Sequence, residues 1–341
     1  MKKGSLPTLS EVAQKAGVGN TTVSRVINGG ERVSPETLER VQKVIAALGY
    51  RPNQAARVLK GHRTRTIGMI VPSLADPFFS SCAEAAQAVA RANDSLLIVT
   101  ATQNDPHNDL ENIKMLVSHR VDGLLIAPAN SRSEALRDLA ARISIPIVTL
   151  DRPILNSSIP AVLTDNFQGA RAATQHLIEH GCERIVCLTG ESNLFTIQER
   201  MRGYRAAMQE AGLTSILNTS IKDYKSAEHA IESLLATSHR PNALLTLKNS
   251  TTIFAFEVLQ KLNISMPKPI ALIGFDDFEL STTLRPSVSV IQQPVEDIGR
   301  AAAELLFEKF EDGPIKASKS RNGKSLVTLE TRLVCRSSCG C

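Results

Sequence analysis

The chain has 341 residues and a formal net charge of +5. It has no secretion signal and no apolar run long enough to cross a bilayer, so a cytoplasmic protein with no membrane partner is expected. The charge is uneven: residues 1–65 carry 12 Lys/Arg against 4 Asp/Glu and residues 66–341 carry 27 against 30. A basic head on a slightly acidic body is the electrostatic pattern of phosphate binding, and it argues against a helical bundle with no partner.

Leu9, Val12, Ala13 and Ala16 share one helical face, opened by a Thr8/Glu11 capping box and stopped by Gly17. A second helix buries Val23, Val26 and Ile27 and turns Asn20, Thr21, Thr22, Ser24, Arg25 and Asn28 outward, all of them suited to phosphates and base edges. Ser34-Pro35 opens a third helix, with Leu38, Val41, Ile45 and Leu48 inward and Gly49 as its stop. Two helices joined by a glycine turn, the second polar and basic on its free side, make a helix-turn-helix head over residues 6–52.

The run TLSEVAQKAGVGNTTVSRVINGGERVSPETLERV resembles the head of the lactose-repressor (LacI-type) transcription regulators. The likeness continues through GYRPNQAARVLKG, RTIGMIVPSLADPFF, VDGLLIAP, ERMRGYRAAM and ALIGFDDFELS. It implies that Asn20, Thr21 and Arg25 read bases while Thr22, Ser24 and Asn28 hold the backbone. Gly19 departs from the family's usual serine cap, at a cost of only a few tenths of a kcal/mol. Asn53–Leu59 has helix-favouring residues but falls short of the roughly 12–15 residues an isolated helix needs in water. We therefore expect residues 53–64 to be a hinge and linker that becomes helical only on DNA. The resemblance makes Leu59 a minor-groove wedge, and Thr8, Asn53 and Ala56 complete the expected DNA contacts.

From Arg65 the chain alternates short β-branched runs (TIGMIV, SLLIVTA, DGLLIA, IPIVTL, RIVCLTG, ALLTL, IALIGF) with amphipathic stretches, which implies parallel sheets covered on both faces. The length beyond residue 65 calls for two lobes. The resemblance implies the same α/β architecture: two Rossmann-like lobes of the periplasmic-binding-protein type, giving an effector and dimerisation domain over 65–334. The expected first lobe is 65–164 with 294–325 and the second is 166–292 with 326–334. The crossings fall near Thr164–Asn166, Gln292–Pro294 and Leu326–Leu329, residues 312–325 read as a polar surface loop, and 335–341 as a tail.

A small ligand is expected between the lobes, at the carboxyl ends of strands. Those ends supply Asp151, Lys248 and Asp276. The resemblance adds Arg200, three residues before Gly203, supports Asp276, and places Tyr224 as an aromatic wall and Phe78 and Phe79 on the lining loop. Leu247-Lys248-Asn249-Ser250 stands where relatives that bind neutral sugars commonly have Ala-Asn-Asp. Two readings stay open: Lys248 and Arg200 counter an anionic effector such as a sugar acid or sugar phosphate, or Lys248 pairs with Asp276 or Asp151 and the effector is neutral.

Other patterns carry less. His176-x-x-Glu179-His180 has a zinc-hydrolase spacing but sits at an ordinary helix end. Gly323-Lys324-Ser325 lacks the first glycine and preceding strand of a phosphate loop, and no G-x-G-x-x-G occurs. Of six cysteines, Cys82, Cys182 and Cys187 fall in predicted elements and Cys335, Cys339 and Cys341 in the tail. None has C-x-x-C spacing, so no metal site and no cofactor are expected. A transporter's solute-binding protein would not carry a basic helix-turn-helix, and an enzyme lacks a nucleophile–base constellation. The sequence reads as a homodimeric, ligand-controlled repressor of a near-palindromic operator, with half-sites roughly 34–36 Å apart.

Overall fold

The computed structural model describes residues 7–27, 29, 32–50, 63–311 and 326–341, in two compact units divided between Thr64 and Arg65. Asn28, the expected hinge with Asn53, Ala56 and Leu59, and the expected loop 312–325 lie outside the described residues.

The first unit holds α1 (Leu9–Ala16), α2 (Asn20–Ile27) and α3 (Pro35–Leu48). The Thr8 hydroxyl accepts from the Glu11 amide at 3.3 Å and the Glu11 carboxylate accepts from the Thr8 amide at 2.7 Å, closing the expected capping box. Ser34 caps α3 by accepting from the Thr37 amide. Gly17 and Gly49 end their helices in the left-handed region, at φ +64° and +60°, where a Cβ would be strained. Val12, Val23 and Val41, one from each helix, are fully buried in a shared core. Tyr50 folds back to close that core, its amide donating to Ile45.

The second unit contains two six-stranded sheets. The first has order β11-β5-β4-β3-β1-β2, from β1 (Thr66–Val71), β2 (Leu96–Ala101), β3 (Gly123–Ile126), β4 (Ile147–Leu150), β5 (Ala161–Thr164) and β11 (Leu326–Leu329), all parallel. The second has order β12-β10-β9-β8-β6-β7, from β6 (Ile185–Leu188), β7 (Ile216–Asn218), β8 (Ala243–Thr246), β9 (Ala271–Phe275), β10 (Ser289–Gln292) and β12 (Arg332–Val334), in which only β12 runs antiparallel. Leaving out the edge strands β11 and β12, both sheets wind 2-1-3-4-5, the doubly wound order that opens a ligand crevice where the winding reverses. β3, β4, β5, β6 and β8 are buried throughout, as strands covered on both faces must be.

The covering helices in the first lobe are α4 (Pro77–Ala92), α5 (Pro106–Ser118) and α6 (Glu134–Arg142). Those in the second lobe are α7 (Asn166–Glu179), α8 (Phe195–Glu210), α9 (Tyr224–Leu235) and α10 (Asn249–Lys261), while α11 (Val295–Glu311) returns to the first lobe and packs on α4. The chain therefore crosses between lobes at Asp165, at Gln293–Pro294 and at Glu330–Thr331.

Two expectations need correction. Leu326–Leu329 does not belong to the second lobe: it pairs in parallel with β5, Leu326 opposite Ala161, and the third crossing follows it. A four-residue apolar run does not itself specify which sheet edge it joins. Nor is 335–341 a tail apart from the second lobe. The Ser338 hydroxyl donates to the Leu272 carbonyl at 2.6 Å and accepts from the Ser289 amide at 2.9 Å, and Cys339 is buried in the second lobe's core.

The helix pair that carries the cleft arginine crosses at backbone contact. A Cβ on Gly203 of α8 would lie 2.1 Å from the Phe167 carbonyl oxygen of α7. Because neither backbone can yield cheaply, Gly203→Ala is expected to destabilise the body by about 1–3 kcal/mol, read as a lowered thermal midpoint by circular dichroism.

Candidate functional site

On the first unit, α2 has no acidic residue and buries Val23 and Val26, leaving Asn20, Thr21 and Arg25 exposed and Thr22 and Ser24 half-buried on one polar face. The cap-less start of this helix is held by the Gly19 carbonyl, which accepts from the Thr22 amide at 2.9 Å. Asn20 Nδ2 reaches Ser10 Oγ of α1 at 3.4 Å. Thr8 lies at the start of α1 and engages its hydroxyl in the cap.

Between the lobes lies a cavity of about 280 Å³, near the lower end of the roughly 300–1,000 Å³ typical of small-molecule pockets. Phe78, Phe79, Asp151, Arg200, Lys248 and Asp276 all line it. Asp151 and Asp276 follow β4 and β9 with φ of +63° and +73°, and Gln103, Asn104 and Glu191, beyond β2 and β6, are also left-handed. Non-glycine residues in this region are uncommon and cluster where strand ends are bent toward a ligand. A broader depression of about 540 Å³ shares Phe78, Asp276 and Gln293 but lacks Arg152, Arg200 and Lys248.

Every cation in the cleft has a carboxylate partner. Arg152 Nε donates to Asp151 Oδ2 at 3.0 Å, Lys248 Nζ to Glu191 Oε2 at 2.8 Å, and Arg200 Nη1 stands 3.5 Å from Asp276 Oδ2. Burial raises the Asp151 pKa against the pull of Arg152 and Arg200, and lowers that of Arg200 against the support of Asp276 and Asp151. Burial also raises Asp76, the α4 cap, aided by Asp276. For Glu191, burial alone would raise the pKa, but the Lys248 ammonium with Asn104 and Arg152 holds it below the usual carboxylate range.

Arg200 is 4% exposed and fixed from several sides. Its Nε donates to Asn166 Oδ1 and its Nη1 to the Leu247 carbonyl, both at 2.7 Å, and its guanidinium carbon lies 3.7 Å from the Phe275 ring centre. The polar contacts close into a ring. Thr164 Oγ1 donates to Gln293 Oε1, Gln293 Nε2 to Asp276 Oδ1, Asp276 faces Arg200, Arg200 binds Asn166, and Asn166 Nδ2 returns to Thr164 Oγ1 at 3.3 Å. Two of the three lobe crossings are thus tied to Arg200 and Asp276, which line the cleft. Across the lobes, Asn104 Nδ2 donates to Glu191 Oε1 at 3.0 Å.

Tyr224 is not part of this site. Asp223 caps α9 in front of it, and its ring packs on the core beneath α9 and α10 while its hydroxyl reaches Glu228 at 3.4 Å. Lys248 pairs with neither Asp276 nor Asp151. The residues the sequence reading missed are Asp76, Asn104, Arg152, Glu191 and Gln293. Applying the strand-end rule to RIVCLTG, as well as to the three runs used, would have found Glu191, whereas Asn104 stands three residues beyond SLLIVTA.

Residues 8–53 match the family described as bacterial regulatory proteins, lacI family, and residues 64–329 match periplasmic binding proteins and sugar binding domain of LacI family. The ribose operon repressor of Haemophilus influenzae is 31% identical over 98% of both chains. The HTH-type transcriptional repressor PurR of Aliivibrio salmonicida is 32% identical over 90% of this chain and 93% of its own. Among solved structures, a transcriptional regulator CelR–cellobiose complex aligns with a TM-score of 0.70 and 29% identity, covering 97% of this chain and 99% of its own. The lac repressor dimer bound to operator and an anti-inducer aligns at 0.85 with 23% identity, covering 98% and 99%, a likeness of fold.

The hydrogen-bonded ring predicts a specific weakness. Gln293→Leu leaves the proton of the buried Thr164 hydroxyl without its acceptor and Asp276 Oδ1 without its amide donor, so it is expected to destabilise the body by about 1–3 kcal/mol per lost hydrogen bond, measured by urea unfolding. Tyr224→Phe, outside the ring and the cleft, should leave ligand affinity unchanged by calorimetry.

Proposed function

The chain belongs to the LacI family of bacterial regulatory proteins, and on that premise we propose that it represses transcription from a near-palindromic operator under control of a neutral, hydroxylated small molecule held between its lobes. The observation that carries the choice of effector is the pairing of Arg152, Arg200 and Lys248 with Asp151, Asp276 and Glu191. With its cations already neutralised, the cleft offers an anion no uncompensated charge. Fixed carboxylates and guanidinium groups do suit the alternating donors and acceptors of a sugar ring, with Phe78 and Phe79 against its apolar face. The sugar named in the CelR complex and the ribose operon of the relatives agree with this class. The pairing of Lys248 with Glu191 favours this class over sugar acids and sugar phosphates.

Asn20, Thr21 and Arg25 would read bases from the major groove and Thr22 and Ser24 would hold phosphates. By resemblance, Thr8, Asn28, Asn53, Ala56 and Leu59 would complete the contact. Two copies bind one operator, and ligand affinity and operator affinity are coupled reciprocally. No turnover of the effector is part of this reading. A cytoplasmic site follows from the proposed DNA partner, and among the described residues no helix is long and apolar enough to cross a membrane.

Selection of bound DNA from a random pool, followed by binding measurements with a sugar panel, tests the reading. Arg25→Ala should weaken the selected operator by about 1–3 kcal/mol and relax preference at one position of each half-site; equal loss on all sequences would assign Arg25 to the backbone instead. Neutral sugars should bind and sugar phosphates should not. Asp276→Asn should lose about 10–100-fold in sugar affinity, as expected for a charged hydrogen bond of roughly 1.5–3 kcal/mol, whereas Lys248→Ala should change it only severalfold. Preferential binding of anionic sugars that depends on Lys248 would overturn the neutral effector.

A further inference from the structure

The H-x-x-E-H spacing at the end of α7 and the C-terminal cysteines, 335, 339 and 341, lie more than 150 residues apart in sequence and meet in space. His176 Nε2 lies 3.1 Å from Cys341 Sγ, 3.4 Å from Cys339 Sγ and 3.9 Å from Cys335 Sγ, and the Cys339 and Cys341 sulfurs are 3.2 Å apart. All four donor atoms fall within 4.8 Å of one another. We propose that Cys335, Cys339, Cys341 and His176 form a four-ligand site for a zinc-class divalent cation that fastens the C-terminal segment to α7.

The donor spacing fits that cation. With Zn–S near 2.3 Å and Zn–N near 2.0–2.1 Å, donors at the corners of a tetrahedron stand about 3.5–3.8 Å apart. The observed separations bracket that edge length, so small rotations about Cα–Cβ bring all four to one centre. They are far from the roughly 2.05 Å of a disulfide. Three thiolates and an imidazole select a soft or borderline cation over magnesium or calcium. Four protein ligands leave no open position, which makes the site structural rather than catalytic.

The surrounding fold holds the ligands in place independently of any ion. Cys339 is 1% exposed in the second lobe's core, and Ser338 beside it is locked to Leu272 and Ser289. Arg336 donates to both oxygens of Asp277, at 3.0 and 2.6 Å, and to the Val288 carbonyl. His176 sits in the last turn of α7, so its position is fixed by helix packing. His180 donates from Nδ1 to the His176 carbonyl at 2.8 Å and turns Nε2 toward Cys341 Sγ at 3.8 Å, as a neighbour outside the four. Binding of one cation by the three cysteines as thiolates releases any thiol protons to solvent and replaces sulfur–sulfur contacts with metal bonds. It also stiffens the segment whose Arg336 holds Asp277, the residue next to the cleft's Asp276.

Full-length, untagged protein, reduced and stripped of metal, is titrated with cobalt(II) and then zinc. The expected result is one equivalent per chain, with thiolate-to-cobalt charge transfer and the visible bands of tetrahedral cobalt, both removed by zinc. The Cys335→Ser/Cys341→Ser double variant changes only exposed positions and should keep its far-ultraviolet dichroism while losing stoichiometric uptake. Cys82→Ala, in the other lobe, should retain it. His176→Gln should shift the cobalt bands, because a nitrogen ligand is lost. Wild-type protein without the charge-transfer band, or with no more metal than the double variant, would overturn the site. So would a Cys339–Cys341 disulfide that persists under reduction and leaves cobalt unbound.

Discussion

The contact on which the body most depends is the pairing of buried Arg200 with half-buried Asp276, because each side is also held by a lobe crossing. Asp276 accepts from Gln293 in the second crossing, and Arg200 donates to Asn166 just beyond the first. A buried charge is tolerated only when it is paired and its remaining hydrogen-bonding capacity is met. Here the groups that meet it are the ones whose backbone must bend if the lobes change angle. A ligand hydroxyl that competes for either residue therefore acts on the crossings directly, with no need for a long chain of intermediates.

The rest of the cleft follows from the same economy of charge. Glu191 engages Lys248 and reaches Asn104 in the opposite lobe, while Arg152 binds Asp151, Asn104 and the Pro128 carbonyl. Each ion pair is anchored on a bent strand end, so the two sheets present rigid, pre-oriented groups to the cavity. Lys248 alone suggested an anionic ligand; Lys248 with Glu191 does not. The difference lies entirely in a residue 57 positions away in sequence.

The C-terminal segment joins this arrangement from outside. Arg336 clamps Asp277 while Ser338 and Cys339 are built into the second sheet and its core. The cluster at its end thus has a mechanical path to the loop that carries Asp276. A terminus so heavily hydrogen-bonded behaves as a structural element of the second lobe.

Local chemistry was legible in the sequence. The Thr8/Glu11 box, the Gly17 and Gly49 stops, the inward valines of the head and the strand runs of both lobes depend on neighbours within a few residues, and side-chain period and cap chemistry specify them. So did Asp151, Lys248 and Asp276, because strand ends in parallel sheets point to one edge. What tertiary structure decided were the pairings between distant segments. β11 joins the first sheet and not the second, half-buried Tyr224 packs against the second lobe's core, Glu191 meets Lys248, and His176 meets Cys335, Cys339 and Cys341. The spacing rule for zinc ligands missed that cluster because a helix end supplies one ligand and the tail spacing is C-x-x-x-C-x-C. Sequence period fixes which face of an element is buried; which element lies against that face is set by packing across the whole lobe.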